Sequence, residues 1–521
     1  MGKQKMLAGA GVLAAAGILA KILSALYRVP FQNLVGNTGF YVYQQVYPIY
    51  GIGMVMALSG WPLFISKVIA EQPSAVARKH VAWRLFWLLT ILSVIVFGVL
   101  FFGAPMIAQS MGNDLRLIPE IQAVSWLFLV MPFLAVGRGY TQGMMDMAPT
   151  AISQVLEQLV RVGLIIGIAW YGVMQGWSVY KIGTWAMFAA TAAGLVAALY
   201  LAWYIRRLPK QTVVEETSKL GWRQLGGRLW REGGILAIVA ALLVLMQLID
   251  SFTVTTLLQD FGQTIDQAAI EKGIYDRGQP LLQLGMVIAT GLGTTLIPVM
   301  REKWLAQNHD GLRYDFQLTM RLALVSSALV TAGLIAIMPS LNQMLFATPA
   351  GSNTLQWYIL TIVPATLIVV MISILQSIDQ SHGIAKWLVL TLLFKYVGNE
   401  LFIPTSGTTG AAISTAFSLV PMAIIVLRRI PKIWWQGMDW SRWTRHLLSL
   451  VMVVGFSAMA ARSLLHAMGF GSRSMSVMVT MISIAVGLIA AFVGMRRWPV
   501  FAPTDWKHIP KGEKIQKKLQ K

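Results

Sequence analysis

The chain has 521 residues, of which 56% are hydrophobic and only 12% charged, with a mean hydropathy of +0.64. A soluble domain carries about 25% charged residues, so this sequence cannot cover a globular surface of its size with charge. That excludes a soluble enzyme, a disordered chain and a fibrous repeat, and leaves an all-α polytopic membrane protein. Cysteine is absent, which removes disulfides, thiolate metal sites and cysteine nucleophiles. The net charge of +21 has to be placed relative to a bilayer before it is read as affinity for nucleic acid.

About fourteen apolar runs reach the length of a membrane-spanning helix. In chain order they fall within 7–27, 41–66, 85–109, 121–143, 150–172, 182–205, 233–257, 276–299, 319–340, 356–378, 384–404, 408–427, 446–466 and 474–495. With the N-terminus in the cytoplasm, the inner segments hold 32 Lys and Arg and the outer segments seven. Basic residues collect on the cytoplasmic side of membrane proteins, so this split supports an even helix count and two cytoplasmic termini in a bacterial cell membrane. Much of the positive charge is then explained without nucleic acid. The segment Lys219, Trp222, Arg223, Arg228, Trp230, Arg231 reads as a basic amphipathic stretch lying on anionic membrane lipids. The tail lysines 511, 514, 517, 518 and 521 either do the same or are disordered. Trp434, Trp435, Trp440 and Trp443 read as an interfacial belt.

The chain repeats itself. Residues 42–57, VYQQVYPIYGIGMVMA, align without gaps on 274–289, IYDRGQPLLQLGMVIA, at an offset of 232. Tyr43 falls on Tyr275, Pro48 on Pro280 and Gly53 on Gly285. Helices 5 and 11 align at nearly the same offset, with Arg161 opposite Lys395. The repeat unit is six helices, an even number, so both halves share one orientation, as in transporters that rock about a central site. The expected division is a lobe over 1–206, a basic cytoplasmic linker over 207–232, a second lobe over 233–430, an appended helix pair over 431–497 and a basic tail over 498–521.

A charge at bilayer depth costs about 2.5–3.5 kcal/mol on insertion scales, so each one needs a cavity or a partner. Lys21 and Arg28, seven residues apart, share a face of helix 1. Arg161 follows Glu157 by one turn, which fits either a neutralised packing pair or a site. Lys395 in helix 11 precedes Asn399 by one turn and has no adjacent carboxylate in sequence. Arg277 opens helix 8 beside Asp276; Arg28 and Arg277 either snorkel to the interface or face a cavity. If these five cations converge, the cavity is cationic and suits phosphate oxygens. Asp250 in helix 7 is a membrane carboxylate with no base near it in sequence, fit for a coupling ion or an interhelical hydrogen bond. Tyr43, Tyr47 and Tyr50 form a stripe that either packs the helix or stacks on sugar. The six histidines form no metal spacing, and there is no nucleotide-binding loop, so neither an enzyme nor a bound cofactor is expected.

Three stretches carry a family resemblance: KILSALYRVPFQNLVGNTGFYVYQQVYPIYGIG at 21–53, PTAISQVLEQLVRV at 149–162 and IYDRGQPLLQLG at 274–285. With the 6+6+2 arrangement, they resemble the polysaccharide-biosynthesis and stage V sporulation protein B-like branch of the multidrug/oligosaccharidyl-lipid/polysaccharide exporter superfamily. That branch includes the MurJ-type lipid II flippases. The resemblance implies two six-helix lobes in an inverted V, alternating access, and movement of an undecaprenyl-pyrophosphate-linked sugar from the inner to the outer leaflet. It places the pyrophosphate on Arg28, Arg277, Arg161 and Lys395, with Lys21 assisting and Glu157 beside them. The prenyl tail would lie near helices 13 and 14. The helix-2 arginine of Gram-negative members has no counterpart; Tyr50, Gly51, Ile52 and Gly53 stand there. A family sodium site would fall on Asp250, Asn399 and Thr415, where Lys395 could supply the charge instead, so either a coupling ion or the membrane potential drives transport.

The expected function is a flippase with lipid II as leading substrate. The alternatives are a flippase for another lipid-linked polymer precursor, a cation-coupled drug exporter, and a non-transporting scaffold for cell-wall synthesis enzymes. A drug exporter needs cavity carboxylates to hold cationic drugs, and this chain is richer in cations. A scaffold would tolerate neutralisation of Arg28, Arg277 and Lys395 together.

Overall fold

The computed structural model describes residues 2–208, 220–287, 291, 299–380, 383–508, 512 and 516, and every regular element among them is helical. Eleven helices are long and apolar enough to cross a membrane. Two of these spans are double. Gly36, at φ +72°, breaks the span 11–70, and Gly407, at φ +56°, breaks 384–428. Both sit in the left-handed region that residues with a Cβ avoid, so one residue reverses the chain where a longer loop would otherwise be needed. The expected helices at 384–404 and 408–427 are therefore the two arms of one such element. Most of the second half of the expected helix 276–299, the linker residues 209–219, His382 and the tail lysines lie outside the described residues.

The first helices are α1 (Gly2–Leu26) and α2 (Arg28–Val55), followed by a π turn and α3 (Trp61–Ala70). Next come α4 (Ala75–Phe102), α5 (Ala104–Ser110), α6 (Ile118–Gly143), α7 (Ala148–Met174) and α8 (Val179–Arg207). Then follow α9 (Trp222–Arg228), α10 (Gly234–Asp260), α11 (Ile265–Tyr275) and α12 (Gly278–Gly285). The remainder are α13 (His309–Phe346), α14 (Ser352–Ile359), α15 (Ile362–Ser377), α16 (Ile384–Arg428), α17 (Trp440–Ala467) and α18 (Arg473–Arg497). Their starts are marked by side-chain caps that satisfy free backbone N–H groups: Ser74 on α4, Ser178 on α8, Thr264 on α11, Asn308 on α13 and Ser472 on α18.

The chain packs as two units, 1–276 with 384–411, and 277–383 with 412–521. In the first, α6 is the central helix, packed by α3, α4 and α8, while α7 joins α8 to α1. Helix α2 threads among α6, α8, α10 and α11, which buries most of its length. A helix buried on all sides has no lipid-facing stripe, so its polar and aromatic groups must find partners inside the protein. Helix α9, which belongs to none of the candidate membrane spans, carries the basic segment, and there Arg228 grips both carboxylate oxygens of Glu71 at 2.7 and 3.0 Å and Glu232 at 2.8 Å. Lys67 reaches the other oxygen of Glu232 at 2.7 Å. These bonds, Arg228 foremost, hold the Glu232 carboxyl below its ordinary range.

In the second unit α13 packs on α15, α17 and α18. Of the tryptophans read as an interfacial belt, Trp434 is buried on Phe316, Trp443 donates its indole N–H to the Val500 carbonyl at 2.8 Å, and Trp435 and Trp440 are half-buried. The segment after α18 is pinned by Arg321, whose guanidinium grips both oxygens of the buried Asp505 at 2.7 and 2.9 Å.

Candidate functional site: an aromatic cage around two arginines

Arg28 is fully buried in α2, eight residues before the Gly36 break. Its guanidinium lies 4.4 Å from the centroid of the Tyr47 ring. None of its three nitrogens makes a well-aligned hydrogen bond among the described residues, and the Tyr27 and Tyr47 hydroxyls approach it. Arg161 of α7 is equally buried, with its guanidinium 4.8 Å from the Tyr50 ring and 5.2 Å from Tyr27. One terminal nitrogen donates to Gln158 at 2.5 Å and to Ser24 at 3.2 Å, while Nε and Nη1 have no partner. The rings form one continuous set: Phe31 to Tyr43 at 5.0 Å, Tyr43 to Tyr47 at 5.9 Å and Tyr47 to Tyr50 at 5.2 Å. The hydroxyls of Tyr27 and Tyr43 bond each other at 2.8 Å. The tyrosine stripe is thus a cage that seats both guanidiniums on ring faces. Ring faces attract a cation but leave its in-plane N–H groups free to donate.

Among the described residues no carboxylate forms an ion pair with either arginine, and Asp276, whose charge interacts with Arg28, is bonded to Lys272. Glu157, expected one turn from Arg161 as its ion-pair partner, binds Arg138 instead, at 2.6 Å between side chains 0% and 1% exposed. Arg138 of α6 is fixed further by Ser153 at 3.0 Å and the Ala57 carbonyl at 3.2 Å. The i,i+4 expectation fails because Glu157 and Ser153 share the face of α7 that meets α6, where Arg138 is waiting. In the sequence, Arg138 counts as an inner-segment charge; its flanking Gly137 and Gly139, small residues of the kind that line helix contacts, were the signal that it lies inside one.

A second buried cluster belongs to the same unit. Lys395 and Asp250, each without an evident partner in sequence, pair with each other at 2.6 Å. Asn399 accepts from the Lys395 ammonium at 2.9 Å and donates to Asp250 at 2.9 Å and Thr253 at 2.7 Å. The Tyr275 hydroxyl donates to the second Asp250 oxygen at 2.7 Å, and the Ala411 carbonyl accepts from Lys395 at 3.1 Å. The ammonium therefore sits among oxygens of the kind a small cation would use.

Asp276 is taken by Lys272 at 2.6 Å. In the second unit, buried Arg277 donates to the neutral Asn342 at 3.0 Å and lies 5.0 Å from the Phe346 ring. Thr415 is also buried there. Lys21 is exposed on α1. No group of three or more His, Asp or Glu side chains that could hold a metal ion occurs among the described residues.

Residues 6–304 match the family described as polysaccharide biosynthesis protein. The chain belongs to that family. It is 32% identical to the uncharacterized membrane protein YabM of Bacillus subtilis, over 98% of this chain and 96% of that one. It is 25% identical to the lipid II flippase MurJ of the same organism, over 94% and 95% of the two chains. A solved structure of lipid II flippase MurJ in an inward closed conformation superposes with a TM-score of 0.67 at 12% identity, covering 93% of this chain and 99% of that one. The family member described here is thus a multi-pass membrane protein with a flippase-type fold.

Proposed function

We propose that this chain is a flippase for an undecaprenyl-pyrophosphate-linked sugar, with lipid II the leading substrate, moved outward from a cytoplasmic-facing state with both termini in the cytoplasm. The observation that carries this proposal is the Arg28–Arg161 cage: two buried guanidiniums with five nitrogens that lack a hydrogen bond and no ion-paired carboxylate among the described residues. Buried charge left without a partner is costly, and an anion with several oxygens is the partner that this geometry accepts. A cationic drug is not, which disfavours a drug exporter. The relationship to the Bacillus subtilis flippase supports the substrate class. An apolar groove of about 380 Å³ between α13, α15 and α17 would take prenyl chain. Lys395 fills the expected coupling-ion position at Asp250 and Asn399, so the membrane potential, acting on the substrate's negative charge, would supply the drive without a bound ion.

The test is replacement of a cell's own lipid II flippase by this chain, with growth and outer-leaflet lipid II as readouts. Wild type should rescue, and normally expressed Arg28→Ala and Arg161→Ala variants should not. Failure of well-expressed wild type would assign the chain to another lipid-linked precursor. Rescue by both variants would remove the cage from the mechanism.

A further inference from the structure

On the first unit, α4, α6 and α8 enclose a groove of about 420 Å³, within the size range of small-molecule pockets. Its floor is shallow side chains, among them Ala82, Gly137 and Ala198, and its walls are the aromatic residues Trp83, Phe86 and Phe133. Trp83 is 59% exposed, so one wall opens outward. One end is rich in basic residues. Lys79 lines the groove and is exposed, Arg78 precedes it with its Nε buried and without a partner, and α8 ends nearby in exposed Arg206 and Arg207. The carboxylates of that end are engaged: Asp146 accepts from the Tyr204 hydroxyl at 2.6 Å, and Glu71 is held by Arg228.

We propose that this groove binds an anionic phospholipid of the bilayer, with one acyl chain along the aromatic walls and the phosphate on Lys79. An aromatic trough alone would take any acyl chain. The basic end makes the distinction, because a zwitterionic headgroup brings its own cation to Lys79 and Arg78, whereas phosphatidylglycerol brings none. Each basic group near a membrane surface is worth about fivefold in binding an anionic lipid. The site is separate from the arginine cage and does not depend on which substrate the protein moves.

The full chain, reconstituted in phosphatidylcholine nanodiscs with a trace of diazirine-bearing phosphatidylglycerol, should be photolabelled at Trp83–Phe86 and Phe133, as mapped by peptide mass spectrometry. Unlabelled phosphatidylglycerol should compete at least about fivefold better than phosphatidylcholine of the same chains. Lys79→Glu should abolish that preference, and Ala202→Trp, which adds bulk to an exposed position in the groove wall, should abolish labelling there. Equal competition by the two lipids on wild type would overturn the proposal, as would labelling spread evenly over the lipid-facing helices or unchanged labelling in Ala202→Trp.

Discussion

Replacing Lys395 with Met tests whether its ammonium is a fixed internal cation. The change removes the charge at 2.6 Å from Asp250 but leaves that carboxylate the Tyr275 hydroxyl and the Asn399 amide. One-sided loss of a buried pair costs about 3–5 kcal/mol, and the two surviving bonds put this case near about 3. Asp250→Asn leaves the ammonium on Asn399 and the Ala411 carbonyl and should cost a similar amount. The double variant buries no net charge and should cost under about 1 kcal/mol. The assay is unfolding in detergent by titration with sodium dodecyl sulfate, followed by tryptophan fluorescence. Sodium chloride compared with choline chloride at equal ionic strength adds a second readout. Sodium should stabilise Lys395→Met, where an oxygen-lined vacancy opens beside Asp250, and should leave wild type unchanged. Additive losses in the double variant would refute the coupling, and a sodium response in wild type would refute the fixed cation.

Three further outcomes follow from other parts of the chain. Arg28→Met should abolish transport yet raise stability by about 1–3 kcal/mol, because it removes buried donors that make no well-aligned hydrogen bond among the described residues; detergent unfolding beside the rescue assay checks both. Asp505→Ala should cost about 3–5 kcal/mol by stranding Arg321, and should expose the segment after α18 to limited proteolysis. The Glu232 carboxyl lies below its ordinary value of 4.5 in the folded protein, so its contribution is present above that value and lost as pH falls through the lowered one. Trypsin-nicking at Arg231, after acid pulses stepped from about pH 6 to about pH 3, should rise in wild type and stay flat in Glu232→Gln.

What the sequence discloses here is periodic or additive, and what it hides is pairwise. Apolar runs and the asymmetry of basic residues give the spans, because each residue contributes independently to transfer out of water. The Gly407 reversal sits where the runs 384–404 and 408–427 nearly abut, and the Gly36 reversal lies in the stretch between 7–27 and 41–66; both are legible afterwards as glycine between two spans. Partners across helices are another matter. Asp250 and Lys395 are 145 positions apart, and the rule that finds ion pairs at i,i+4 points Glu157 to Arg161 when the real partner is on another helix. The tyrosine stripe was visible as spacing on one helix. That Arg161 of α7 lies between Tyr27 and Tyr50 depends on how α1, α2 and α7 pack, and no local pattern encodes that.

The internal repeat gives these pairings their sense. Arg161 and Lys395 fall opposite each other in the sequence alignment of the two stretches, both are buried in the same unit, and the protein treats them oppositely. The second-half cation is closed off by Asp250, Asn399 and a carbonyl, so its charge is already spent within the fold. The first-half cation is seated on ring faces with two nitrogens unsatisfied, and Arg28 beside it has three. Both aligned positions carry a buried cation, and the local carboxylate decides which of the two is closed off within the fold. Introducing a carboxylate into the cage therefore tests this logic directly. Gln158→Glu, whose side-chain oxygen already accepts from Arg161 at 2.5 Å, should convert the open cation into a closed one. It should stabilise the unliganded protein, as a buried arginine gains its ion pair, while rescue falls by about tenfold or more, since the pyrophosphate must then displace a tethered anion. Retention of full rescue in a stabilised Gln158→Glu protein would mean that the free nitrogens of Arg161 are not what the substrate uses.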